Sequence, residues 1–280
     1  MLYLVLSIVS SAMISIAMRL SIGRARGQIS TLSVNYYICM LLSGSFSGFG
    51  NILSSDEGWE LTLILGIVNG MFFFLSLMLG QMVIKTNGVV LSSIFSKVGA
   101  LLIPLAISIV FFREAPRPVQ IIGALISIAS IILINYQKGE SEQKSFMPIL
   151  FLLLLTEGIA SSGTKVFGEV GVPSFSDNFL FWTFGAAAVF STAVALYKKE
   201  PFGIKEILFG ALIGIPNFFS ARFMLMAIRE IPAIIVYPVR SVLTIMIITL
   251  FGVAFFKERL RKTQWIAFIF ILVSLVLLNI

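Results

Sequence analysis

Five charged residues lie deep inside apolar stretches of this chain: Lys97, Glu157, Lys165, Arg222 and Arg240. A charged side chain at the centre of a membrane helix costs about 2.5–3.5 kcal/mol on insertion scales, so each needs a protein or aqueous partner to be retained there. Lys97 and Arg240 stand nine residues into stretches of roughly 25, too deep to reach the interface by extending. Lys165 and Arg222 lie within about two turns of a helix end, where either a cavity role or snorkelling fits. Glu157 is the only deep acid, open to a transport role or to an ion pair with Lys165, Lys97 or Arg240.

Neutral polar groups accompany these ions. Asn35, Tyr36 and Tyr37, Asn69, Asn217 and Tyr237 all fall within apolar stretches, where amides and phenols orient a ligand by hydrogen bonds. Tyr36 and Tyr37 equally suit an interfacial aromatic belt. Pro216 and Pro238 interrupt helical bonding and mark kinks. The chemistry is that of binding. With no histidine and one cysteine, Cys39, the chain has no clustered nucleophile, base or metal set, so no catalytic residue, metal or cofactor is expected.

These residues sit in a chain of 280 residues that is 58% apolar and 12% charged, with a mean hydropathy of +1.03. Soluble proteins carry about 45–50% apolar and roughly 25% charged residues, so the solvent here is lipid. The formal charge of +7 does not point to nucleic acid, because the basic residues are scattered through short loops. About 20 apolar residues cross a hydrocarbon core. Ten stretches meet that length, near 1–20, 31–50, 60–84, 88–112, 117–136, 147–167, 177–197, 204–228, 232–256 and 262–280. The first has no basic leader and no clear cleavage signal, and reads as a retained helix. The turns between them are too short for a soluble domain.

A shift of 144 residues superposes FFREAPRPVQIIGALISIASIILIN (111–135) on FFKERLRKTQWIAFIFILVSLVLLN (255–279). Glu114, Arg117, Gln120 and Asn135 recur as Glu258, Arg261, Gln264 and Asn279, and Gly66 and Gly70 recur as Gly210 and Gly214. Chance similarity between apolar segments does not preserve polar residues in register. The halves are 1–140 and 141–280, and five spans in each place the second half upside down relative to the first. Inverted halves enclose a midplane site and rock between exchanged conformations, which is the architecture of alternating access. Gly44 with Gly48 and the repeated glycine pairs are spaced for close helix packing.

The repeated phrase of an aromatic pair, a basic residue, Glu, a short polar turn, Gln and a small-residue apolar helix resembles the EamA-type repeat of the drug/metabolite transporter superfamily. The resemblance covers essentially the whole chain. It implies an all-α membrane protein of ten helices, the fifth and tenth peripheral and the others around a central cavity. It is weak for substrate, since members move amino acids, sugars, nucleotide sugars, phosphorylated metabolites, choline and drugs. Small-residue runs ending in a cation, SAMISIAMR to Arg19 and EGIASSGTK to Lys165, match at an offset of 146, and the resemblance implies that Lys165 faces the cavity.

The reading that follows is a secondary transporter in the cell membrane, surrounded by lipid and carrying a small-molecule substrate. Four deep cations against Glu157 favour an anionic or zwitterionic metabolite anchored by Arg240. An exporter of hydrophobic cations or drugs recognised by Glu157 and the tyrosines, or a lipid-intermediate flippase, is the alternative. One set of loops carries twelve Lys and Arg, including Arg24, Arg26, Lys198, Lys199 and Lys205; the other carries Arg113, Arg117 and Arg229. Positive-inside bias therefore places both termini outside, although the superfamily's termini are commonly cytoplasmic.

Overall fold

The computed structural model describes residues 1–53, 57–111, 117–119, 121–123, 125–126, 129, 147–231, 233–257 and 262–277. Its helices are α1 (Leu2–Ser21), α2 (Gln28–Ser47), α3 (Trp59–Asn87), α4 (Val89–Phe111), α5 (Met147–Val170), α6 (Ser176–Tyr197), α7 (Ile204–Glu230), α8 (Ala233–Ala254) and α9 (Lys262–Leu277). Each begins and ends within a few residues of an expected span. The span expected at 117–136 lies largely outside the described residues.

The chain is a multi-pass, all-helical membrane protein among its described residues. α1, α3, α5, α7 and a segment comprising α6 and the short turn before it are long and apolar enough to cross a bilayer unaided. α2 falls short of that standard because Ser30, Thr31, Ser33, Asn35 and Tyr36 are buried against protein rather than presented to lipid. Helices inside a bundle need no continuous apolar surface. α4 and α8 carry shorter apolar runs, Val89–Pro104 and Val239–Ala254.

Eight helices close into a ring in the order α1, α7, α2, α6, α3, α5, α4, α8 and back to α1, while α9 packs chiefly against α8. Glycines set the closest approaches. A Cβ on Gly99 of α4 would lie 2.0 Å from the Leu154 carbonyl oxygen of α5, and one on Gly158 would lie 2.2 Å from Ile103 Cγ1. Gly70 backs onto the Thr183 carbonyl of α6 as Gly214 backs onto the Asn35 backbone of α2. Without driving force from water, such backbone proximity is what dispersion needs in lipid.

Two carboxylates fasten the ends of α2 and α7 together. Glu200 accepts bonds from the N–H groups of Ile29 (2.7 Å) and Ser30 (3.0 Å), capping the α2 N-terminus. Glu206 accepts from Arg26 (2.8 Å), Gly27 (3.1 Å) and Gly203 (3.0 Å). At the other end of the bundle Tyr3 stacks on Phe223, and Arg229 bonds the Pro173 carbonyl and Ser176 Oγ. α3 and α4 are joined at Gly88, whose φ of +85° suits glycine and whose N–H closes α3 on the Ile84 carbonyl.

Candidate functional site

The ring encloses a cavity of about 1080 Å³, measured out to its open mouth. Residues of α1, α3, α4, α5, α6, α7 and α8 line it, so both halves of the chain contribute. Its ionisable lining residues, among those described, are Lys97 of α4, Glu157 of α5 and Arg240 of α8. Three of the five deep ions therefore meet in one place.

Lys97 Nζ stands 3.9 Å from Glu157 Oε1. Ser76 of α3 donates to the other carboxylate oxygen, so Glu157 is held from two helices. Arg240 donates from Nε to Ser7 Oγ of α1 at 2.8 Å and from a terminal nitrogen to Ser220 Oγ of α7 at 2.7 Å. Ser7 in turn donates to the Ser220 carbonyl at 3.1 Å, which leaves the Ser7 hydroxyl oxygen to accept from the guanidinium. Fork-shaped donors anchored this way present a fixed plane to an anion.

Asn69 and Asn217 also line the cavity. Asn69 is 3% exposed, and neither its amide nitrogen nor its carbonyl oxygen has a hydrogen-bond partner. A buried amide with both ends unmet is costly and suits a site that a polar ligand completes. Gly163 of α5 makes room for it, since a Cβ there would come within 2.3 Å of Asn69 Oδ1.

The remaining expected site residues stand elsewhere. Asn35 and Tyr36 are fully buried one layer behind the wall: Asn217 donates to Asn35 Oδ1 at 3.1 Å, and Tyr36 donates to the Phe73 carbonyl at 2.8 Å. They hold lining residues and do not line the cavity themselves. Tyr36 is not in an interfacial belt; Tyr37, 40% exposed, faces outward and accepts from Thr192 at 3.3 Å. Arg222 forms a two-point pair with Asp177 of α6, at 2.9 and 3.2 Å, with its guanidinium 3.9 Å from the Phe46 ring centroid. Lys165 lines a second chamber. The side chain of Tyr237 lies outside the described residues.

Sequence reasoning missed the hydroxyls. Ser11, Ser15, Ser76, Ser92, Ser93, Ser96, Ser161, Thr164 and Ser220 all line the cavity. A signal was there: Ser7, Ser11 and Ser15 recur every four residues, and Ser92, Ser93 and Ser96 share a face with Lys97, as Ser161 does with Glu157.

Residues 148–280 match the model of the EamA-like transporter family. Over that stretch the chain is similar to EamA-type transporters. An uncharacterized protein of Haemophilus influenzae is 22% identical over 258 residues, spanning 86% of this chain and 82% of the relative. A solved crystal structure shares this chain's fold with a TM-score of 0.66 at 16% identity, covering 99% of this chain and 96% of that one.

Proposed function

We propose that this EamA-type protein is a secondary transporter of the cell membrane that carries a small anionic or zwitterionic metabolite through the central cavity by alternating access, with Arg240 as the principal anchor. The observation that carries this reading is the charge of the cavity: two cations against one carboxylate among its described lining residues. Lys97 and Glu157 are opposed at 3.9 Å, and the surplus charge falls to Arg240, oriented by Ser7 and Ser220. In a partly dehydrated cavity such a charge attracts carboxylate or phosphate and repels cations. Glu157 and Asn69 supply complementary acceptors for an ammonium or hydroxyl on the same ligand.

The inverted relation of halves 1–140 and 141–280 finds support in the ring. Exchanging α1 with α5, α2 with α6, α3 with α7 and α4 with α8 returns the same ring read in the opposite sense. Reversal is the signature of a two-fold axis lying in the membrane plane; an axis along the membrane normal would preserve the sense. Such halves exchange conformations around a fixed midplane site.

A hydrophobic-cation exporter has less support, because Phe73 is the one aromatic residue among the described lining residues and cation recognition favours aromatic faces. The deciding experiment compares Arg240→Gln and Glu157→Gln, purified and folded, in thermal-shift and uptake assays against charged metabolites. Loss of anion binding in Arg240→Gln, with Glu157→Gln retaining it, is expected. Tight cation binding abolished only by Glu157→Gln overturns the reading.

A further inference from the structure

The second chamber lies between the C-terminal ends of α5 and α7 and has an empty volume of about 650 Å³. Among the described residues its charged lining is Lys165, Glu169 and Arg229, again two cations and one carboxylate. Thr164 lines both this chamber and the central cavity. The two spaces therefore meet at one side chain.

Helical spacing explains the continuity. On α5 the cavity wall runs Glu157, Ala160, Ser161, Thr164, and the same face continues through Gly168 into the chamber. On α7 the wall runs Asn217, Ser220, Ala221, Met224 and continues through Ile228. α5 and α7 are not neighbours in the ring, so a gap between them persists along their last turns. Small residues on the α5 face keep it open; a Cβ on Gly168 would meet nothing within 4 Å. Ser161 and Gly168 are seven residues apart, about 10 Å along the helix.

We propose that this chamber is a separate anion station, an antechamber in which Lys165 and Arg229 collect a carboxylate or phosphate group before it passes Thr164 into the cavity. Arg229 is positioned there by the Pro173 carbonyl and Ser176 Oγ, which hold its guanidinium beside the α6 N-terminus, where helical N–H groups add positive potential. Glu169 tempers the charge so that the anion is drawn in without being trapped. The two stations repeat one charge set in series, and a ligand moving between them exchanges like for like. This rests on the anion reading of the central cavity.

The test needs no substrate. Gly168→Cys is labelled with membrane-impermeant anionic and cationic methanethiosulfonates; wild-type protein, whose Cys39 is buried, gives the baseline. The anionic reagent is expected to react faster, and Lys165→Gln or Arg229→Gln to lower the anionic-to-cationic rate ratio about three- to tenfold. An unchanged ratio in both variants overturns the station. Separately, Ser161→Cys reports the cavity: Thr164→Trp, or the smaller Thr164→Leu if the first does not elute as a single species, is expected to protect it. Undiminished labelling overturns the path. Because the readout is reagent charge, a negative result here is distinct from failure of the Arg240 experiment.

Discussion

Ser76 of α3 and Ser220 of α7, 144 residues apart, are each bonded to one of the opposite charges of the cavity. Ser76 donates to Glu157; Ser220 accepts from Arg240. The site therefore has distinct anionic and cationic poles.

From this asymmetry, Ser220→Ala is expected to weaken binding of a carboxylate ligand about tenfold, which corresponds to 1.4 kcal/mol. Hydrogen bonds to charged groups contribute about 1.5–3 kcal/mol, and Ser7 retains part of the alignment. Ser76→Ala is expected to leave carboxylate binding within about threefold. Equal losses from both substitutions, in a direct titration, would contradict separate poles.

Arg222 is expected to matter for stability and not for binding. Its pair with Asp177 is two-pronged and less than a quarter exposed on either side, and it ties α7 to α6 beside Phe46 of α2. Removing one partner strands the other, so Arg222→Gln should cost about 1–3 kcal/mol of stability. Asp177→Asn should cost a similar amount, and the double variant less than the sum. Ligand affinity of Arg222→Gln should remain within about twofold; a tenfold loss in a protein of normal melting temperature would place Arg222 on the transport path.

The described spans were legible from their apolar length, and three ions of the cavity from the cost of charge in hydrocarbon. Lys97, Glu157 and Arg240 lie too deep to escape, and they meet in the cavity. Arg222 was not legible, because its partner Asp177 is separated from it by 45 residues and stands at the start of another helix. Depth along a helix says nothing about which neighbour a side chain faces. Asn35 and Tyr36 show the same limit: α2 is polar because it is packed between α6 and α7, and sequence periodicity does not reveal a neighbour's carbonyl. Serine is ambiguous by nature, since in a helix its hydroxyl can return to its own backbone, as Ser162 does to Gly158.

The glycine contacts predict where a methyl group is tolerated. Gly99→Ala places a carbon 2.0 Å from the Leu154 carbonyl oxygen and Gly158→Ala places one 2.2 Å from Ile103, so α4 and α5 must separate. Overpacking of this kind costs about 1–3 kcal/mol. Gly168→Ala enters open space and should change stability by no more than about 0.5 kcal/mol. Thermal unfolding of the three variants in one detergent checks the ranking, and comparable melting of Gly99→Ala and wild type would show that the α4 and α5 backbones are not held this close.

Orientation follows in two steps that can fail independently. Tyr3 stacks on Phe223, and Arg229 bonds the turn before α6, so the start of α1, the end of α7 and the start of α6 share one face. Glu200 and Glu206 bind the backbone of 26–30, which gathers Arg24, Arg26, Lys198, Lys199 and Lys205 on the opposite face. An epitope at the N-terminal end and one after Glu230 should therefore be accessible from the same side, whichever side that is. Positive-inside bias then assigns the face of Arg24 and Lys199 to the cytoplasm, because cationic loops are retained there during insertion. The expected outcome is that both epitopes bind antibody on intact cells, while a tag inserted at Lys199 binds only after permeabilisation. Epitopes on different sides would contradict the helix packing; epitopes together in the cytoplasm would leave the packing intact and reverse the proposed topology, making the Lys165 and Arg229 chamber an intracellular mouth.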